Sequence, residues 1–179
     1  MAQELALYII AELVARIGTK TVDLGKIQLQ KMVYFLCELN VPMGYDFQIY
    51  HYGPFCSELA EDIDRLDTLG VLSVVPDREG YGYHISIGEY FENMMKEKTL
   101  RDDKELSEKI DFVVEKFSHY NPSDIELLAT IHFVKKIFLE NNKDIDKTHI
   151  IGIVYKLKPK FELSYISSKY DEIQSIFKN

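Results

Sequence analysis

The sequence has few cysteines, no long apolar stretch and little positive charge, and each shortage excludes a class of protein. Its two cysteines, Cys37 and Cys56, are too few for a disulfide scaffold or a cysteine-rich zinc module, so we expect two reduced thiols. The longest apolar stretches, around Gly152, are far shorter than the roughly 18 residues that span a bilayer. The N-terminus lacks the positive region of a signal peptide. We therefore expect a soluble cytoplasmic protein that uses no membrane, metal or other cofactor.

Positive charge is scarce relative to negative charge. The 179 residues include 29 acidic and 21 basic side chains, which gives a net charge of −8. Non-specific affinity for nucleic acids comes mostly from Lys and Arg side chains that neutralise phosphates. The imbalance is concentrated in residues 1–100, which hold 8 basic and 15 acidic side chains, whereas residues 101–179 hold 13 and 14. The composition therefore disfavours nucleic acid as a partner, above all for the amino-terminal half.

Apolar residues recur at helical spacing along most of the chain. This periodicity predicts helices at about 3–17, 24–40, 54–69, 89–98, 104–118, 121–138, 148–158 and 162–177. Asp23 is the expected N-cap of the second helix, and Asn121 or Ser123 that of the sixth, where Glu126 follows Ser123 at the spacing of a capping box. The polar residues of the second helix are expected to face mostly outward: Lys26, Gln30, Lys31 and Glu38.

Three segments are predicted to be β-strands, the first of them by its alternation of side chains. Residues 46–52 alternate in this way, and the following Gly53-Pro54 is interpreted as the cap and first turn of the third helix. Residues 71–75 and 81–87 flank a turn-rich segment and predict a hairpin. The order of elements is close to that of a winged helix. We expect a mostly α (α+β) protein, with a winged-helix-like amino-terminal half (1–88) and small antiparallel sheet packed on a carboxy-terminal helical bundle (89–179) around a shared core.

Several short segments resemble a known family. They are Leu29-Gln-Lys-Met-Val-Tyr-Phe-Leu36, Tyr50-His-Tyr-Gly-Pro-Phe-Cys-Ser-Glu-Leu59, Asp62-Ile-Asp-Arg-Leu66, Gly70-Val-Leu72, Glu126-Leu-Leu-Ala-Thr-Ile131 and Leu157-Lys-Pro-Lys-Phe161. Together they resemble the Panacea (SocA-like) antitoxin domain, and still more the YwgA-type proteins of bacteria and archaea, over about residues 25–175. The resemblance implies a helical fold without a known catalytic centre. For the Panacea branch it also implies a role in neutralising or escorting a protein partner.

The charge of the third helix opposes the DNA-binding role that a winged-helix order suggests. It carries five acidic residues against Arg65 alone: Glu58, Glu61, Asp62, Asp64 and Asp67. Presenting this face to phosphates would be repulsive. The remaining basic candidates lie in the other half and are more often a solvated helix end: Lys135, Lys136, Lys156, Lys158 and Lys160. A winged-helix DNA-binding regulator, as a dimer that contacts DNA through Lys156, Lys158 and Lys160, is the alternative function.

Aromatic side chains favour a protein interface instead. Six of them lie on the strand and hairpin, which we expect to be neighbours in one small sheet: Tyr45, Tyr50, Tyr52, Phe55, Tyr81 and Tyr83. Exposed tyrosines suit protein interfaces because each buries a large area with little loss of rotamer freedom. With the acidic helix and Arg78 at the wing tip, the predicted partner-binding residues are Tyr50, Tyr52, Phe55, Glu58, Glu61, Asp62, Arg78, Tyr81 and Tyr83. The expected partner is a protein such as a toxin or another basic protein, with a homodimer left open.

Catalytic and metal chemistry have weaker support. Cys56 is expected in the first turn of the third helix, where the helix dipole would lower its thiol pKa, and His51 is close in sequence. No oxyanion hole or orienting acid has a recognisable spacing, so a packed cysteine and a protein without enzymatic activity are favoured. A zinc site from His51, His84 and Cys56 would still lack a ligand.

Overall fold

A computed structural model of the chain describes residues 2–19, 24–77, 82–96, 103–141 and 145–178. The fold is mostly helical with short antiparallel strands, which confirms the predicted α+β class. Three residues singled out in the sequence, Asp23, Arg78 and Tyr81, lie outside the described residues. Among the described helices, none combines the length and the apolar character needed to cross a membrane.

Eight helices are described, each close to a predicted segment. They are α1 (Ala2–Gly18), α2 (Lys26–Glu38), α3 (Ser57–Thr68), α4 (Phe91–Lys96), α5 (Lys104–Phe117), α6 (Pro122–Glu140), α7 (Lys147–Leu157) and α8 (Leu163–Ile176). Asn121 is the N-cap of α6, and its side chain accepts a 2.9 Å hydrogen bond from the Asp124 amide. The predicted capping box of Ser123 and Glu126 is wrong, because Ser123 lies inside the helix and the Glu126 side chain is buried against Lys158.

The strands form two separate two-stranded sheets, so the prediction of one small sheet is wrong. The first sheet pairs β1 (Gln48–Tyr50) with β2 (Gly53–Phe55), and the second pairs β3 (Leu72–Pro76) with β4 (Tyr83–Ile87). The predicted role of Gly53-Pro54 as a helix cap and first turn is also wrong. Gly53 has φ +77°, a left-handed conformation that lets the chain reverse tightly into β2, and α3 begins only after its N-cap Cys56.

Helix α6 lies at the centre of the molecule. It packs on α2, α7, α8 and β2, and its buried residues fall on more than one face, as its sequence indicated. The hydrophobic core includes residues of both halves, with the Phe35 and Phe117 rings stacked at 4.0 Å between centroids. The position of α6 brings the carboxy-terminal helices under the first sheet.

Candidate functional site

The hairpin of β1 and β2 projects its aromatic side chains into solvent. All three residues of β1 are exposed, and Tyr50 and Tyr52 are 64% and 59% accessible. Three cross-strand pairs connect the strands, from Gln48 opposite Phe55 to Tyr50 opposite Gly53. An isolated hairpin is marginally stable at best in water. Its conformation therefore depends on what lies beneath it.

Helix α2 holds the second strand and its continuation through two buried polar side chains. The Gln30 amide nitrogen donates to the Cys56 carbonyl at 2.9 Å, and the Cys56 N–H donates to the Gln30 oxygen at 3.2 Å. The Lys31 ammonium donates to the Pro54 carbonyl at 2.8 Å. The outward orientation predicted for Gln30 and Lys31 is wrong, since they are 4% and 1% accessible. These side chains point inward because backbone groups of the hairpin supply hydrogen-bond partners there.

The carboxy-terminal half supplies a second buried lysine. The Lys158 ammonium donates to the Glu126 carboxylate and to the His51 carbonyl, each at 2.5 Å. Lys158 and Glu126 are each 4% accessible, so the prediction of Lys158 as a phosphate-contacting surface residue is wrong. Lys156 and Lys160 are exposed, and the Lys160 ammonium lies 3.9 Å from the same carboxylate. The two halves therefore meet in a buried ionic cluster beneath the hairpin.

The Lys31 amine belongs to this cluster electrostatically. Its pKa is lowered to about 8, with burial as the main cause; the Glu126 carboxylate raises it and the positive charge of Lys158 lowers it. One buried carboxylate thus interacts with two buried amines. Such an arrangement limits the repulsion between the amines while both donate to carbonyls of the hairpin.

Gly53 fits closely against α6. A Cβ atom at this position would lie 2.5 Å from the Thr130 hydroxyl oxygen and 3.3 Å from the Glu126 carbonyl oxygen. The Thr130 hydroxyl is itself fixed by donating to that carbonyl at 2.7 Å. Glycine therefore satisfies two requirements at once, the positive φ angle and the close approach of the backbone to the helix.

The predicted aromatic residues are only partly brought together on the surface. Tyr50, Tyr52 and Tyr83 are exposed, whereas Tyr45 and Phe55 are half-buried. Tyr52 and Tyr83 line one groove of about 900 Å³, together with Lys26, Gln28, His84, His119 and Tyr120 among others. The groove runs between the turn of the first hairpin, the second sheet and the segment that joins α5 to α6. Sequence reasoning missed it because its walls come from segments far apart in the chain.

Fewer acidic side chains on α3 are free than the sequence suggests. Asp62 is 5% accessible and accepts from the Tyr45 hydroxyl at 2.8 Å, so its prediction as an exposed partner-binding residue is wrong. Asp64 pairs with Lys26 at 2.7 Å, and Asp67 accepts from the Val74 amide at 2.8 Å. Helix periodicity alone places all five acids on a helix but does not reveal these tertiary contacts. Of the three acids predicted to bind a partner, Glu58 and Glu61 are exposed.

Cys56 has the environment of a packed residue. It is 1% accessible, and its thiol donates to the Glu58 carboxylate at 3.2 Å. Its pKa is raised to about 11, with burial as the main cause; hydrogen bonds from the backbone N–H groups of Leu59 and Glu58 lower it, and the Glu58 carboxylate raises it. The prediction of a lowered pKa is therefore wrong. His51 contributes its backbone carbonyl to the site. In the part of the chain that the structure describes, no three His, Cys, Asp or Glu side chains are grouped to hold a metal ion.

The chain is thus a mostly helical α+β protein that presents exposed tyrosines on a hairpin anchored from both halves. It is similar to the uncharacterised protein YwgA of Bacillus subtilis (strain 168). The two sequences are 27% identical over 151 residues, which cover 83% of this chain and 82% of YwgA. No protein-family model matches the sequence.

Proposed function

We propose that this chain is a non-enzymatic protein-interaction module, similar to Panacea-type antitoxin or adaptor proteins. It binds a protein partner through Tyr50 and Tyr52 on the hairpin, Tyr83 across the groove, and the neighbouring acids Glu58 and Glu61. The observation that carries this proposal is the exposure of the two hairpin tyrosines on a backbone that buried side chains hold in place.

The anchoring of the hairpin makes it suitable for binding. Ordering a flexible loop on association costs free energy, and this cost falls when the loop is already held in its bound conformation. Tyrosine contributes a large contact area and a hydroxyl group while losing little side-chain freedom. A rigid hairpin with two exposed tyrosines therefore combines low ordering cost with the side chain most typical of interface hot spots.

The partner's chemistry follows from the groove and its border. The groove has the size of a site that receives a short segment of another chain, and aromatic rings line it. Glu58 and Glu61 on α3 give the surface beside the hairpin a negative charge. A basic protein with an exposed aromatic or apolar segment fits this combination, because opposite charges steer association.

The family resemblance agrees with this proposal at particular residues. The motifs that begin Leu29-Gln-Lys and Tyr52-Gly-Pro are together fairly specific for the resemblance to Panacea domains, and their residues contact each other through Lys31 and Pro54. The DNA-binding alternative loses one of its three proposed contacts, since Lys158 is buried. It remains an outcome of the test below.

A photo-crosslinking amino acid at position 52 tests the proposal. We expect Tyr52→benzoylphenylalanine to capture a protein from a lysate of the source organism, and the same replacement at Tyr155 to miss it. Tyr155 is a matched control because it is exposed on α7, 41% accessible and outside the groove.

The captured protein is then purified for affinity measurements with designed variants. We expect Tyr50→Ala/Tyr52→Ala to raise the Kd by at least about 30-fold, since hot-spot tyrosines contribute roughly 1 kcal/mol or more each, and Tyr155→Ala to change it less than about twofold. Equal affinity of the double variant and the wild type would contradict the proposal. Retention on DNA that weakens steeply with salt would favour the regulator instead.

A further inference from the structure

We propose that Lys158 is a positioning residue that fixes the hairpin of β1 and β2 from the carboxy-terminal half, so that the placement of Tyr50 and Tyr52 depends on α6 and α7. The geometry alone supports the mechanical part of this inference, whereas its consequence for binding rests on the proposed function.

The backbone around Lys158 directs its side chain inward. Lys158 is the C-cap of α7, and its N–H donates to the Val154 carbonyl at 2.8 Å. The next turn closes when the Phe161 N–H donates to the Lys158 carbonyl at 3.2 Å, and Pro159 cannot continue the helix. The side chain consequently leaves the end of α7 at a fixed point and reaches the hairpin interior.

The contacts of Lys158 couple a helix to the turn of the hairpin. Its ammonium donates hydrogen bonds to the Glu126 carboxylate on α6 and to the carbonyl of His51, the residue between Tyr50 and Tyr52. Hydrogen bonds to charged groups are stronger than those between neutral groups, and burial shields them from water. The Lys158 side chain thus links His51, which lies between the two exposed tyrosines, to the central helix α6.

Lys31 approaches the other side of the hairpin, at the Pro54 carbonyl, and also interacts with Glu126. The two lysines therefore bond carbonyls on both sides of Gly53, whose backbone lies against α6. Removing the Lys158 side chain removes the hydrogen bond to the His51 carbonyl in the turn and leaves the hydrogen bond from Lys31 to the Pro54 carbonyl in place. We expect the loss to be local to the hairpin rather than spread over the fold.

Hydrogen exchange of the full chain tests this expectation. In Lys158→Met we expect exchange in the segment 48–56 to accelerate at least about tenfold, since a charged hydrogen bond is lost, while exchange in 72–76 and 83–87 stays within about twofold of the wild type. The matched control is Lys156→Met, which removes the same charge from an exposed site two residues away. We expect wild-type exchange in this control.

A second variant covers the case in which Lys158→Met does not fold, because a buried carboxylate that loses its partner is costly. Glu126→Gln/Lys158→Met removes that charge and still lacks the bond to the His51 carbonyl. Its hairpin should exchange as in the single variant. Acceleration of both sheets alike, or of neither, overturns the positioning role.

The partner captured through position 52 separates this inference from the proposed function. If the proposed function holds, Lys158→Met weakens binding at least about tenfold with both tyrosines intact, and Lys156→Met leaves it unchanged. Wild-type affinity in Lys158→Met despite a mobile hairpin would overturn the link to binding. If Tyr50→Ala/Tyr52→Ala binds normally, the proposed function fails, and the exchange result alone decides the positioning role.

Discussion

The two strand pairs among the described residues form hairpins that are held in place by different means. The first hairpin, β1 with β2, has three residue pairs, and its strand β1 is exposed. The buried side chains of Gln30, Lys31 and Lys158 donate hydrogen bonds to backbone carbonyls in and next to this hairpin. The second, β3 with β4, has five pairs, and Leu72 and Ile85 bury their side chains in the core. The short hairpin thus depends mostly on polar groups from other segments. The longer one combines its own buried apolar residues with polar contacts, from the Val74 amide to the Asp67 carboxylate and from the Ile85 amide to the Leu24 carbonyl.

The glycine at the start of each returning strand has different surroundings. Gly53 has φ +77° and lies against α6, whereas a Cβ atom on Gly82 would meet nothing within 4 Å. The first hairpin therefore tolerates no side chain at its closest approach to the helix. The second has space at the start of its returning strand.

The largest expected effect on stability comes from adding a methyl group at Gly53, with the same change at Gly82 as its comparison. Gly53→Ala should lower the free energy of unfolding by roughly 3–5 kcal/mol, because it adds left-handed strain of about 1–2 kcal/mol to a steric overlap with Thr130. Gly82→Ala should change it by less than about 0.5 kcal/mol. Urea unfolding of both variants measures the difference.

A double variant separates strain from overlap in this prediction. In a Thr130→Ala background the hydroxyl nearest the new methyl group is gone, so the additional cost of Gly53→Ala should fall towards the left-handed strain of about 1–2 kcal/mol, with the Glu126 carbonyl oxygen at 3.3 Å as the remaining close contact. Equal costs in the two backgrounds would show that the approach of the hairpin to α6 is looser than 2.5 Å implies.

A smaller effect is expected from shortening one isoleucine in each hairpin. Ile85 is 3% accessible, so Ile85→Ala should cost about 3 kcal/mol through lost burial and a cavity. Ile49 is 38% accessible, and Ile49→Ala should cost less than about 1 kcal/mol. Thermal or urea unfolding checks the order, and a reversed order would contradict the proposed difference in anchoring.

The smallest expected effect is a pH dependence of the unfolding free energy that comes from Lys31, whose ammonium donates to the first hairpin. Burial lowers the pKa of Lys31 from 10.5 to about 8, so between these values the unfolded chain holds a proton that the folded chain has released. Stability from this group therefore rises with pH, by about 2 kcal/mol between about pH 7 and about pH 9.5.

Other groups act in the opposite direction over this range, among them the two thiols. Burial raises the pKa of Cys37 to about 12 and that of Cys56 to about 11, so both thiols favour the unfolded chain as the pH rises. Comparing the wild type with Lys31→Met cancels their contribution. Between about pH 7 and about pH 9.5, the difference in unfolding free energy between the two proteins should shift by about 2 kcal/mol in favour of the wild type. A difference that does not change with pH would contradict the buried environment of Lys31.

Periodicity was sufficient for the helices but not for the first hairpin. The apolar spacing of α1, α5 and α8 located each of them within a few residues, because one face of each helix meets the core. Gly53-Pro54 has the composition of a helix start, and only the fit of Gly53 against α6 reveals its place in a strand. Gln30 and Lys31 are likewise polar residues at buried positions, and the signal in the sequence that could have marked them is their place in the segment Leu29-Gln-Lys31, one of those that carry the resemblance.

The sequence by itself determined the fold class and the helices, because these follow from local spacing and side-chain chemistry. The tertiary structure alone decided which charged residues are buried. Lys31, Glu126 and Lys158 are far apart in the chain, and a lysine faces inward only where a carboxylate and backbone carbonyls replace its water. Folding around α6 provides those partners, and with them the fixed position of Tyr50 and Tyr52.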